Sequence, residues 1–277
     1  MRKFITGDLH GGEYGELLKL SSAQWKEQKT LTKEDILFQL GDFGLYFYYP
    51  KYINGYKKDF NKRKGLANKK YTLFIIPGNH DNYDLIEELP IIEKWGGLVH
   101  EEKFGENSIY IARRGEVYLI DGKTYFTFGG ALSSDIEYRN SLSDVGTEKR
   151  VPKMRYGQFV RMESKKIKIS QVSYWERELP SEDEKDYALK NLSKYNYKVD
   201  YILTHTCPDS LVEEFIHRTD SNEAKFNCPV AKFLEEIYQK VEFKHWYFGH
   251  MHTNYTYKNG DELITCHYSS KPMEIYY

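Results

Sequence analysis

Cysteine is scarce in this chain. Its 277 residues include three, Cys207, Cys228 and Cys266, an odd number, widely spaced and without a Cys-x-x-Cys pair. That argues against a disulfide framework or a thiolate zinc site, and the reduced thiols of a cytoplasmic protein are the expectation. Long apolar runs are also missing. The longest are strand-sized, such as Leu73–Ile76, whereas a membrane-spanning helix needs about 20 residues. The opening residues, Met1-Arg2-Lys3-Phe4-Ile5-Thr6-Gly7-Asp8, hold two basic side chains with no apolar stretch behind them, so they do not read as a signal peptide. Nor is there an excess of one charge: 40 Lys and Arg face 41 Asp and Glu. Attachment to nucleic acid by bulk charge is thereby disfavoured, and only a local basic patch could serve. Repeats, low-complexity tracts and Pro- or Ser-rich linkers are absent, so one domain over 1–277 is expected.

What the chain does have is aromatic surface. Twenty-five Tyr and 15 Phe raise the aromatic share to 16%, a folded composition in which amphipathic rings stand in for aliphatics. Lys3–Thr6, Asp35–Leu40 and Tyr71–Ile76 read as short buried strands, and the spacing of Leu17, Leu18, Leu20 and Trp25 predicts a helix over 13–28. Buried strands with intervening helices predict a largely parallel sheet. From about Gly97, the segments 108–113, 116–120 and 124–128 alternate as strands of a second, mostly antiparallel sheet, with Asp121-Gly122 as a hairpin turn. The stretch 129–180 has little periodicity and is expected to be an irregular cap. Helices at 182–194 and 230–241, strands at 200–203 and 244–248, and a hairpin-like tail complete the reading.

Metal-binding residue types follow five of these strand ends at once: Asp8 and His10, Asp42, Asn79-His80-Asp81, His205, and His250 with His252. Open α/β sheets bind ligands at the carboxyl ends of their strands, so these loops can converge. Two carboxylates, an amide oxygen and several imidazoles suit borderline first-row ions such as Mn, Fe or Zn rather than Ca or Mg. The set is too large for one tetrahedral ion and right for two that share a carboxylate, an arrangement that clamps a phosphoryl group and activates water. His80 is then left for acid–base work, with Asp81 beside it as a candidate orienting carboxylate. Each residue alone would be an ordinary turn residue. The joint pattern is what carries the reading.

The blocks Gly7-Asp8-Leu9-His10-Gly11, Gly41-Asp42-Phe43-Gly44, Gly78-Asn79-His80-Asp81, His205 and Gly249-His250-Met251-His252 resemble, in order, the signatures of the calcineurin-like metallophosphoesterase superfamily. The resemblance implies an α/β fold, a four-layer α/β/β/α sandwich with two mixed β-sheets and the metal site at the strand carboxyl ends. It implies two divalent ions, Mn²⁺ foremost, one held by Asp8, His10, Asp42 and His252. The other would be held by Asp42, Asn79, His205 and His250. It further implies a metal-bridging hydroxide that attacks phosphorus, with Asn79 and His80 offsetting charge and His80 protonating the leaving alkoxide. The second block lacks the Asp-Arg of the superfamily's protein phosphatases, which argues against a protein substrate. Gly129-Gly130-Ala131-Leu132-Ser133, Arg139, Trp175, Glu178 and Pro180 resemble small bacterial or phage members. A phosphodiesterase acting on nucleotides or nucleic acid is favoured. A phosphomonoesterase, a catalytically silent scaffold and a nucleic-acid-binding module stay open beside it.

Two segments call for separate expectations. Lys149–Lys168 holds eight basic residues against one acid, Glu163, and is read either as a solvated loop or as a cap attracting an anionic substrate, with Tyr156 and Phe159 for base stacking. The aromatic run Phe43, Tyr46–Tyr49, Tyr52 and Tyr56 is read mainly as packing, with a few rings at a pocket rim. His100, His217, His245 and His267 are expected to be structural or surface residues, and Cys207 a packed thiol.

Overall fold

A computed structural model describes residues 1–12, 15–51, 53–133, 149–155, 158–165, 175–216, 228–268 and 271–275. In chain order its strands are β1 (Lys3–Thr6), β2 (Ile36–Leu40), β3 (Thr72–Ile76), β4 (Ile91–Lys94), β5 (Gly97–Phe104), β6 (Asn107–Ala112), β7 (Val117–Ile120) and β8 (Lys123–Phe128). They continue as β9 (Lys149–Arg155), β10 (Gln158–Lys165), β11 (Tyr201–Thr204), β12 (His245–Phe248), β13 (Tyr255–Asn259), β14 (Glu262–Cys266) and β15 (Met273–Glu274). The α-helices are α1 (Ile53–Ala67), α2 (Tyr83–Glu87), α3 (Glu182–Lys194), α4 (Val212–Ile216) and α5 (Pro229–Lys240).

Thirteen of the described strands form two mixed sheets, and β9 and β10 pair separately. One runs β15-β1-β2-β3-β6-β5-β4 and the other β13-β14-β12-β11-β8-β7. Within them β1, β2 and β3 are mutually parallel, as are β8, β11, β12 and β14. The period-two alternation of a strand puts successive side chains on opposite faces, and it sorts the core here. Ile5, Phe38, Phe74 and Ile76 of the first sheet meet Tyr125, Tyr201, Leu203 and Tyr247 of the second in one apolar cluster. The alternate residues Phe4, Leu37, Leu73 and Ile75 pack on Trp25, Leu66 and Ala67. On the far face of the second sheet, Phe126, Ile202, Trp246 and Phe248 pack on Ala188 and Leu192 of α3 and on Val230, Leu234 and Ile237 of α5. Two sheets thus share a middle core while helices cover their outer faces. A capping box closes the N-terminus of α3, where Ser181 accepts from the Glu184 amide and the Glu184 carboxylate accepts from the Ser181 amide, satisfying two donors that the helix itself cannot. No helix among the described residues is long and apolar enough to cross a membrane.

Several expectations are corrected. The helix expected over 13–28 is replaced by two 3₁₀ turns, Glu16–Leu20 and Lys26–Thr30. Gly15 sits at φ 93° before the first turn, and an extended Ser21 ends it, so the chain is interrupted before a second α-turn can form. The strand expected at 108–113 belongs to the first sheet, not the second: it pairs parallel with β3 and antiparallel with β5. The cap expected over 129–180 lies partly outside the described residues, Arg139, Tyr156 and Lys168 among them. Within the part described, β9 and β10 pair antiparallel, and their run of basic residues obscures any apolar alternation in sequence.

Candidate metal centre

The parallel strands aim five loops at one edge. Asp8 lies two residues past β1, Asp42 follows β2, Asn79 and His80 follow β3, His205 directly follows β11, and His250 follows β12. The loops from the two sheets approach very closely, and glycine makes that approach possible. A Cβ on Gly41 would lie 2.1 Å from the His205 ring. One on Gly249 would lie 2.5 Å from Asp8 Oδ1. His10, Asp42, His250 and His252 themselves have φ between 41° and 62°, a left-handed conformation costing non-glycine residues roughly 1–2 kcal/mol each. Four such residues at one spot indicate strain retained for a purpose.

The side chains fall into three overlapping groups whose ligand atoms lie within 4.8 Å of one another: Asp8, His10 and His252; His10, Asp42 and His80; Asp42, His205 and His250. His252 Nε2 is 2.9 Å from Asp8 Oδ2 and 3.1 Å from His10 Nε2. His205 Nε2 is 3.2 Å from Asp42 Oδ1 and 3.0 Å from Asn79 Oδ1. Asp42 faces both sides, with Oδ2 4.0 Å from His10 Nδ1 and from His80 Nε2. Asp8, Asp42, Asn79, His205 and His250 are buried, whereas His10, His80 and His252 are partly exposed and form the mouth.

The electrostatics favour a cation. Burial alone would disfavour ionised Asp42, but His205, His80 and His10 outweigh it and hold the carboxyl well below its usual range. Asp8 is lowered in the same way, against its burial, by His252 and His205. Burial would likewise depress His205, yet Asp42 and Asp8 push it up to about 9. Burial and the neighbouring His205 bring His250 down to about 3, leaving it a neutral imidazole able to ligate. Asp8 Oδ2 is buried, with the His252 imidazole nitrogen at 2.9 Å as its compensating neighbour. Two buried carboxylates with converging imidazoles fit divalent cations.

A supporting layer fixes the ligand atoms. His205 Nδ1 donates to the Leu40 carbonyl at 2.8 Å, which turns Nε2 toward Asp42. The Ser133 hydroxyl donates to Glu178 Oε2 at 2.7 Å, so its oxygen accepts from Asn79 Nδ2 at 3.1 Å. Asn79 Oδ1 is thereby aimed at the centre. The Tyr268 ring stacks on His252 at 4.5 Å, and Lys19, whose ammonium lies 3.8 Å from the centre of that ring, donates to the Asp8 carbonyl. Such outer partners orient ligands and tune the ion. Ser133 and Glu178 stood in the sequence only as parts of a resemblance, and Lys19 and Tyr268 carried no signal there.

Asp81 departs from the role expected of it. Its carboxylate is buried and accepts from the amides of Gly78, Phe43 and Gly44 at 2.8, 3.2 and 2.8 Å, which ties the β2 and β3 loops together. The carboxylate facing His80 is that of Asp42, which also accepts the His80 backbone N–H at 2.8 Å. His100, His245 and His267 contact a carbonyl, a hydroxyl and a carbonyl away from the centre, and Cys207 is buried and unbridged. His217 lies outside the described residues.

The family model for calcineurin-like phosphoesterases matches residues 1–254, and the chain belongs to that family of metal-dependent phosphoester hydrolases. No curated protein matches it in sequence. Among solved structures it is similar to GAP50, the anchor in the inner membrane complex of Plasmodium, at 12% identity and TM-score 0.46, covering 98% of this chain and 72% of that one. It is also similar to the phosphopantetheinyl hydrolase PptH of Mycobacterium tuberculosis, at 12% identity and TM-score 0.40, covering 96% and 89%. Both likenesses are too remote to bear on function.

Ser133→Ala is expected to weaken Mn²⁺ affinity roughly 10–100-fold in chelator competition, with the circular dichroism unchanged. Affinity should also depend on pH. His205 in the metal-free protein keeps a proton up to about pH 9, which an ion must displace, so apparent affinity should climb toward that pH and flatten above it. The raised value stabilises the metal-free fold below the ordinary histidine range, and this contribution is lost as pH passes about 9.

Proposed function

We propose that the chain is a dinuclear phosphoesterase. One ion would be held by Asp8, His10, His252 and Asp42, the other by Asp42, Asn79, His205 and His250, with Mn²⁺ the first choice and Fe or Zn compatible with the same donors. The observation that carries this reading is Asp42, whose two oxygens face opposite halves of the cluster. Bound ions would supply charge neutralisation for the phosphoryl group and acidify water near neutral pH.

The rest falls to the protein. Buried Asp8 and Asp42 fix negative charge, and the neutral His250 and the Leu40-bound His205 provide nitrogen donors. His80 stands at the mouth, its side chain 32% exposed, where a substrate oxygen can reach it. From there it would stabilise charge developing on the phosphoryl oxygens and pass a proton to the departing alkoxide. Asn79 gives an N–H to Ser133, so its contribution is the ligating Oδ1. A diester or nucleotide substrate is favoured by the basic run Lys149–Lys168, and the domain is taken as single over 1–277.

Parallel assays with 4-nitrophenyl phosphate and bis(4-nitrophenyl) phosphate in Mn²⁺ should show turnover, faster on the diester. His80→Ala should lower kcat by about 10²–10⁴-fold with bound metal retained. Loss of the metal together with the rate would refute the role given to His80.

A further inference from the structure

Beside the candidate metal centre lies a cavity of about 450 Å³. His10 and His80 form its wall on the metal side, and Phe47, Tyr48, Lys58 and Asp59 line the remainder. The cavity is therefore continuous with the place where a phosphoryl group would sit. It is bounded by the loop after β2 and the first half of α1, and both are anchored. The Asp59 carboxylate accepts the Tyr48 backbone N–H, Lys62 donates to the Gly11 carbonyl, and Arg63 binds the Leu45 carbonyl and Glu102.

Two features point to an organic ligand rather than to solvent. The first is the aromatic wall. Phe47 and Tyr48 meet edge to face at 5.2 Å, and the Tyr48 ring rests against Gly55 of α1 so closely that a Cβ there would lie 2.5 Å from it. A glycine inside a helix is destabilising by about 1 kcal/mol relative to alanine, and here it makes room for the ring. The second feature is Asp59. It is 5% exposed, yet its Oδ2 has no hydrogen-bond partner among the described residues. A buried acceptor left open inside an aromatic-walled cavity is matched by a ligand that brings an N–H or O–H donor on a flat ring. Lys58 adds positive charge to the same wall, which suits a ligand that also carries phosphate.

We propose that this cavity binds the nucleoside part of a nucleotide substrate, with the base against Tyr48 and Phe47, a base N–H or sugar hydroxyl on Asp59, and the phosphate toward His10 and His80. The proposal deepens the phosphoesterase reading and rests on it for the placement of the phosphate. Its nucleoside half can be measured without turnover.

The probes are the 5′-methylenephosphonates of adenosine, guanosine, cytidine and uridine, whose C–P bond resists hydrolysis, and the corresponding base-free ribose compound. They are titrated calorimetrically into the Mn²⁺-loaded full chain. At least one nucleoside probe should bind tenfold or more tightly than the ribose compound. Asp59→Asn and the exposed Lys58→Glu should each cut that affinity at least fivefold while leaving the bound metal and the circular dichroism unchanged. Equal binding of nucleoside and ribose probes overturns the proposal, as does unchanged affinity in Lys58→Glu, a surface variant that leaves the core intact. If base-dependent binding appears but no phosphate ester is hydrolysed, the pocket stands and the phosphoesterase reading falls.

Discussion

Two carboxylates removed from water at one sheet edge are the constraint around which the rest is arranged. Asp8 and Asp42 have almost no solvent contact, and ionised groups in such a place need compensating positive charge. In the metal-free protein part of that charge comes from a proton held on His205. The geometry around that proton is that of a ligand set: imidazole nitrogens lie 2.9–3.2 Å from the carboxylate oxygens, and the Asn79 amide oxygen lies 3.0 Å from the His205 ring. Backbone strain at His10, Asp42, His250 and His252 has the same origin. Four side chains are turned inward at a cost that the fold offsets elsewhere, and one positive centre on each side of Asp42 would recover it.

Rigidity is supplied from outside the ligand set. The Leu40 carbonyl, the Ser133–Glu178 pair and the Lys19–Tyr268 stack each decide which atom of a ligand faces the centre. Asp81 adds a different restraint by binding three amides from two loops, so that the Asp42 and His80 backbones keep their relative positions. The candidate metal centre thus rests on strand ends that are buried on both faces, while the mouth and the adjoining cavity rest on a loop and a helix.

The cluster of candidate ligands was legible in sequence because each of them sits within four residues of a strand end beside glycine or another polar residue, so local pattern suffices. Parallel pairing of β1, β2 and β3 was legible for the same reason: short buried strands separated by longer connections admit little else. The partner of β6 was not, since pairing Leu73 with Ile109 is a non-local choice that alternation alone leaves open. Asp81 was misread because neighbours in sequence were assumed to act together, whereas consecutive side chains here point to different loops. Asp59 gave no sign at all, being one acid in a lysine-rich helix until burial showed its oxygen without a donor.

Metal stoichiometry tests the central claim most directly. Elemental analysis of Mn²⁺-equilibrated, desalted protein should find two ions per chain, and Asp42→Asn should reduce the count to one or none while Asp81→Asn, if folded, retains both. One ion or fewer in the unaltered protein, or two ions retained without the Asp42 carboxylate, would contradict a centre shared across that side chain.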